Sequence, residues 1–131
     1  MINSRAKGQR GEREFAALIF DNLGVRLKRN LQQTAEGGHD LIANAGDYWP
    51  FAAEIKNCQT LSVDQWWEQA VEQAYNARQW PLLAYKVHRK GWRVVLPVTA
   101  IQGGRYSEEV ARYRAEMDLQ TFYYIYREIK R

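Results

Sequence analysis

The segment Trp49 to Asn57, Trp-Pro-Phe-Ala-Ala-Glu-Ile-Lys-Asn, constrains the fold more than any other part of the chain. Side chains alternate along a strand, so Trp49, Phe51, Ala53 and Ile55 share one face, while Glu54, Lys56 and Cys58 share the other. Pro50 falls at the strand's start, where a missing N–H is tolerated. A face of large apolar groups needs a covering layer, and a carboxylate and an ammonium on the opposite face need either solvent or a purpose.

The flanking pattern supplies the covering layers. Phe15, Leu18, Ile19 and Leu23 recur at helical spacing before Gly24, which predicts a helix over 9–23 with Glu12 on its polar face. Strands are expected at 25–31, 39–43 and 49–57, with a turn-rich loop at 34–38 and a turn at 44–47. Ser62 is placed to cap a helix over 63–78 whose apolar side includes Trp67, Ala70, Val71 and Ala74. Strands at 82–88 and 92–97 read as a hairpin across Arg89-Lys90-Gly91. Residues 111–117 alternate as a strand, with a helix from Ser107 as the competing reading, and Asp118 can cap a last helix through Leu119, Phe122, Tyr123, Tyr126 and Ile129. The order predicts an α/β fold, a central mixed β-sheet flanked by helices.

A length of 131 residues, without repeats or a Pro/Gly/Ser linker, fits a single domain over 1–131. The longest apolar runs fall well short of the ~18 residues of a membrane span, and charge follows the first residues where a signal peptide would be apolar. A soluble cytoplasmic protein is therefore expected, in the host cytoplasm if the source is viral, with no membrane partner. One cysteine, Cys58, excludes an internal disulfide and a Cys-rich zinc site, and without a partner base it implies no thiol chemistry. The net charge of +4 is unevenly spread: residues 1–30 carry seven basic and three acidic side chains, but residues 31–104 carry six and seven. A polyanionic partner would meet the N-terminal third first.

The chemistry gathers in three acids and a lysine: Glu12 on the first helix, Asp40 at the mouth of a strand, and Glu54 with Lys56 on the next. A Glu-x-Lys triplet alone is commonly an exposed ion pair. Here, pairing of the two strands would bring both carboxylates and the ammonium together. Two convergent carboxylates are costly unless a cation neutralises them, and hard oxygen ligands without cysteine suit Mg²⁺, with Mn²⁺ as a substitute. The backbone carbonyl of Ile55, between the two site residues, is a further candidate ligand. A metal that polarises a phosphoryl oxygen and activates water, beside an ammonium that balances developing charge, makes the parts of a phosphodiester hydrolase.

The ordered set Lys7-Gly8-x-x-x-Glu12-Arg13-Glu14, Gly38-His39-Asp40-Leu41, Glu54-Ile55-Lys56 and Gly91-Trp92-Arg93 resembles the archaeal-type Holliday junction resolvases of the PD-(D/E)XK nuclease superfamily. The resemblance runs from about residue 7 to residue 97 and leaves 105–131 as a C-terminal strand–helix extension. It implies a restriction-endonuclease-like core in which Asp40, Glu54 and the Ile55 carbonyl bind the metal, Lys56 is the catalytic lysine, and Glu12 completes the site, directly or through water. Gln69, or else Gln73, would be the auxiliary polar residue on the following helix. His39 stands where the superfamily name has proline, and Thr34 lies where resolvases carry a loop serine.

The resemblance further implies a homodimer acting on four-way junctions or other branched DNA, in recombination and repair. Trp66, Trp67 and Trp80, with the run Phe122 to Tyr126, are large enough to serve either the core or a dimer patch. Arg5, Lys7, Arg10, Arg13, Arg29, Arg89 and Lys90 are candidate phosphate contacts. His39 reads as a ligand, a proton carrier or a structural hydrogen-bonding group; His88, at the hairpin, is less informative. A less structure-selective nuclease of the same superfamily, for example from a phage or prophage, and a non-catalytic DNA-binding module are the alternatives.

Overall fold

The structure, a computed structural model, describes residues 4–30, 39–104 and 112–131. Among these, helix α1 (Ser4–Leu23) leads into β1 (Leu27–Arg29), β2 (Leu41–Ala43) and β3 (Phe51–Lys56). Helix α2 (Val63–Ala77) then connects to β4 (Trp80–Val87) and β5 (Gly91–Pro97). A short helix α3 (Val98–Gln102), β6 (Arg114–Asp118) and α4 (Leu119–Lys130) complete the order. The strands form one six-stranded sheet in sequential order. Only β3 and β4 run parallel, because α2 crosses between them; every other neighbouring pair is antiparallel. The mixed sheet with flanking helices is the architecture expected from the sequence.

The alternation in β3 sorts the two layers. Phe51, Ala53 and Ile55 join Phe15 and Ile19 of α1 and Phe122, Tyr123 and Tyr126 of α4 in one core. On the opposite face Trp66, Trp67 and Ala70 of α2 pack against Leu83, Tyr85 and Val95. The aromatic residues considered for a dimer patch are thus largely core, with Trp66, Trp67, Phe122, Tyr123 and Tyr126 buried; Tyr124 is exposed. Trp49, Phe51 and Phe122 meet edge to face, the preferred geometry for stacked quadrupoles.

Several boundaries differ from the sequence expectation for physical reasons. Helix α1 starts at Ser4 and not near residue 9: its first turns carry no apolar stripe, so hydrophobic spacing does not reveal them. Strand β1 is three residues long, and Leu31 and the 34–38 loop lie outside the described residues. Strand β2 is also short, and its pairing with β3 is a single register pair, Leu41 with Ala53. Ser62 occupies the N-cap position of α2, but its hydroxyl makes no capping bond. Asp118 does cap α4, its carboxylate accepting from the Thr121 N–H at 2.8 Å. Of the two readings near residue 111, the strand holds over Arg114–Asp118, and residues 105–111 lie outside the described set. Helix α3 was not expected; five residues give too little periodicity to read.

Candidate active site

The site forms where β2 leaves β3. After the pair Leu41–Ala53, the Asp40 N–H still donates to the Ala53 carbonyl at 2.9 Å, but then side chain replaces backbone: Asp40 Oδ2 accepts from the Ile55 N–H at 2.7 Å. A charge-assisted bond of this kind fixes the carboxylate firmly against the strand. In a strand a residue's N–H and C=O project to the same edge, so the Ile55 carbonyl also faces the edge that Asp40 occupies.

Glu54 lies on β3's other face, as the alternation requires, and is 3% exposed. Its Oε1 is 3.4 Å from Lys56 Nζ, while Oε2 is buried with no hydrogen-bond partner among the described residues. Burial, followed by repulsion from Asp40, pushes the Glu54 carboxyl up to about 8, and the nearby Lys56 ammonium opposes this only in part. A bare Glu54 therefore carries a proton at neutral pH.

Glu12 approaches from α1. It sits one turn after Gly8, and both line the same open cleft of about 610 Å³ as Asp40, Glu54, Ile55 and Lys56. Burial and then Asp40 raise its pKa, against the opposing Arg29 guanidinium, whose Nε donates to Glu12 Oε2 at 3.0 Å. Arg29, expected to touch phosphate, is thus first a partner of Glu12, although its side chain remains 40% exposed.

Of the two glutamines considered on α2, Gln69 lines the cleft; Gln73 does not, and its side-chain oxygen is buried without a hydrogen-bond partner among the described residues. His39 lines a separate cavity of about 240 Å³, and burial lowers its pKa against the opposing Asp40. It thus lines a different cavity from the one that holds Asp40, Glu54 and Lys56. Cys58 is exposed at the cleft wall. Lys7 lines the cleft, Arg5, Arg10 and Arg13 are exposed on α1, and Arg89 and Lys90 are exposed at the β4–β5 turn. Thr34 lies outside the described residues.

One residue escaped the sequence reading. Asn57, directly after Lys56, donates from Nδ2 to the Lys7 carbonyl at 3.0 Å. It also packs so closely on α1 that a Cβ at Gly11 would lie 2.8 Å from the Asn57 Cβ. The end of β3 therefore fixes the helix turn that carries Glu12. The Gly11 position gave a hint, since glycine inside a helix commonly marks a close approach.

The donor set fits a divalent cation. Two carboxylates, one with an orphaned buried oxygen, and a main-chain carbonyl offer hard oxygen ligands, and Mg²⁺ characteristically keeps several waters besides one or two carboxylates. Among the described residues no three Asp, Glu, His or Cys side chains form a ready-made cluster, in keeping with Glu12 being held by Arg29. No helix among the described residues is long and apolar enough to cross a membrane.

Comparison with known proteins agrees with the fold. A family model described as phage putative PDDEXK endonuclease matches residues 3–130. Among solved structures, the chain is similar to Archaeoglobus fulgidus Hjc, a Holliday junction resolvase from an archaeal hyperthermophile. The two share 24% sequence identity with a TM-score of 0.51, over 88% of this chain and 87% of that one. No curated protein matches the sequence.

Proposed function

Since the chain belongs to this family of phage PD-(D/E)XK endonucleases, we propose that it is a divalent-metal-dependent endonuclease that cuts branched DNA, with the four-way junction as its preferred substrate. The observation that carries the reading is the orphaned, buried Glu54 Oε2 beside Asp40 and Lys56 in an open cleft. A buried carboxyl pushed up to about 8 beside Asp40, in a cleft that also holds Lys56, supports a cation-binding role.

Asp40, Glu54 and the Ile55 carbonyl would hold Mg²⁺, or Mn²⁺ in its place. Bound there, the ion would polarise a phosphoryl oxygen and lower the pKa of a coordinated water. Lys56 stands over Glu54 with its ammonium in the cleft, where it balances the negative charge that gathers on the phosphate as the water oxygen bonds to phosphorus and the ester oxygen leaves. Glu12, neutralised by Arg29, acts at the rim through water, and Gln69 orients that water or a phosphate oxygen from α2. Arg5, Lys7, Arg10, Arg13, Arg29, Arg89 and Lys90, together with Thr34, would position the DNA by phosphate contacts that carry no base information. A homodimer would place two such sites on opposing strands of a junction, within the host cytoplasm, in recombination or repair. The likeness to Hjc supports the fold on which this rests.

The test is cleavage of a labelled four-way junction and a linear duplex of the same sequence in Mg²⁺ by the wild type and Asp40→Asn. Junction cleavage by the wild type alone is expected. Equal cutting of both substrates would leave a general nuclease of the family, and an Asp40→Asn variant with full activity would remove the site assignment.

A further inference from the structure

The catalytic cleft does not end at Lys56. A second cleft of about 720 Å³ adjoins it, and the two share Lys7, Asn57, Cys58 and Gln59 as a common wall. The second is bounded on its far side by the β4–β5 hairpin through Lys86, His88, Arg89 and Gly91, and among the described residues no Asp or Glu lines it. The first cleft, by contrast, holds Glu12, Asp40 and Glu54. A polyanionic strand leaving the first cleft therefore meets, in this second one, a lining that is basic and not acidic.

Not all of the lysines there are available. Lys86 Nζ is held by both oxygens of Glu14, at 2.9 and 3.0 Å, which ties the hairpin to α1 and leaves Lys7 and Arg89 to meet an anion. Arg89 is exposed and sits at φ 66, in the left-handed region that favours glycine. The turn is closed behind it by the Lys90 N–H on the Val87 carbonyl at 2.9 Å, and Gly91 follows at φ 86. The left-handed backbone at Arg89 also means that glycine fits the same turn without strain, so the Arg89 side chain can be removed without disturbing the hairpin.

We infer that the strand passing through the catalytic cleft continues into this second cleft, where Lys7 and Arg89 hold the backbone phosphates on one side of the scissile bond. The inference rests on the nuclease reading and adds a direction to it: the cut strand runs toward the β4–β5 hairpin, and the exposed arginines of α1 outside both clefts serve other parts of the DNA.

Single-phosphate neutralisation tests this. A methylphosphonate is placed at each position within three nucleotides of the cut, on either side, and cleavage by the wild type is compared with Arg89→Gly, which suits the turn, and with Lys7→Ala. The expected result is a loss of about tenfold for the wild type at one or two positions on one side only, with little further loss there in the matching variant. Losses that are equal in wild type and variants at every position overturn the inference while leaving the nuclease intact. Should the wild type cut no DNA, the nuclease reading falls, and binding measured in Ca²⁺ against salt decides the cleft alone. A salt dependence reduced by about one phosphate contact in each variant supports it, and an unchanged slope overturns it.

Discussion

Replacing Glu54 by glutamine should make the metal-free protein more stable while abolishing cleavage. Glu54 is 3% exposed and its carboxyl is pushed from an ordinary value of 4.5 to about 8, chiefly by burial and then by Asp40. The folded state thus holds a proton that the unfolded chain releases as pH rises above 4.5. By linkage, stability is highest below that value and falls through the window up to about pH 8. At about 1.4 kcal/mol per pH unit, the ceiling on the loss is roughly 3 kcal/mol at pH 7 and nearer 5 above pH 8. Relaxation and water entering the open cleft reduce this, so a gain of about 1–3 kcal/mol for Glu54→Gln at pH 8 is expected. Glutamine does not titrate, so the gain should shrink toward zero near pH 4.5. Urea unfolding followed by tryptophan fluorescence, in EDTA at pH 5, 7 and 8.5, measures it. Added Mg²⁺ should then raise the stability of the wild type and leave the variant unmoved. A variant less stable than the wild type at pH 8.5 in EDTA, or an advantage that grows toward low pH, would refute the reasoning.

Three further outcomes follow from the geometry. Gly11→Ala forces a Cβ to 2.8 Å from the Asn57 Cβ, so a loss of about 1–3 kcal/mol by thermal unfolding is expected, relieved when Asn57→Gly is added. Lys56→Gln should remove cleavage while retaining DNA binding in Ca²⁺, read by gel shift; cleavage within tenfold of wild type would deny the lysine its catalytic role. Arg78 ends α2 at φ 57 with its N–H on the Ala74 and Tyr75 carbonyls, so Arg78→Gly should stabilise by about 0.5–1 kcal/mol in the same unfolding assay, activity unchanged.

The legible part of the fold is the part governed by local periodicity. The two-residue alternation from Trp49 to Lys56 assigned Phe51, Ala53 and Ile55 to one core and Glu54 to the opposite face, where the structure has them. The helical spacing of Phe15 and Ile19, and of Phe122 and Tyr126, likewise named the residues that cover that core. Contacts between distant segments left little trace. Nothing near Arg29 announces that its guanidinium neutralises Glu12, and charge alone made it a phosphate contact. Asn57 looks like an ordinary residue after a strand until α1 is laid against it. Ser62 shows a different limit: the residue type marks a helix start, but whether its hydroxyl bonds depends on a rotamer that sequence does not specify.

The charge balance of the cleft explains why its basic surroundings and acidic centre belong together. Glu12, Asp40 and Glu54 are three buried carboxyls, of which Glu12 is paired with Arg29 and Glu54 with Lys56. Fully ionised, that set is one charge negative, and a phosphodiester would bring a second negative charge to the same place. Burial first, and then the charge of Asp40, favour the protonated form of Glu54, which the raised pKa expresses. A divalent cation, if bound as proposed, would cancel both charges at once, favour the ionised form of Glu54 and make the cleft acceptable to a phosphate. The excess of basic residues in the first thirty positions cannot do this, because most of them lie outside the cleft, where solvent screens them. On the proposed reading their field would draw DNA to the surface, and the buried acids, once neutralised by an ion, would determine where on it a phosphate can be cut.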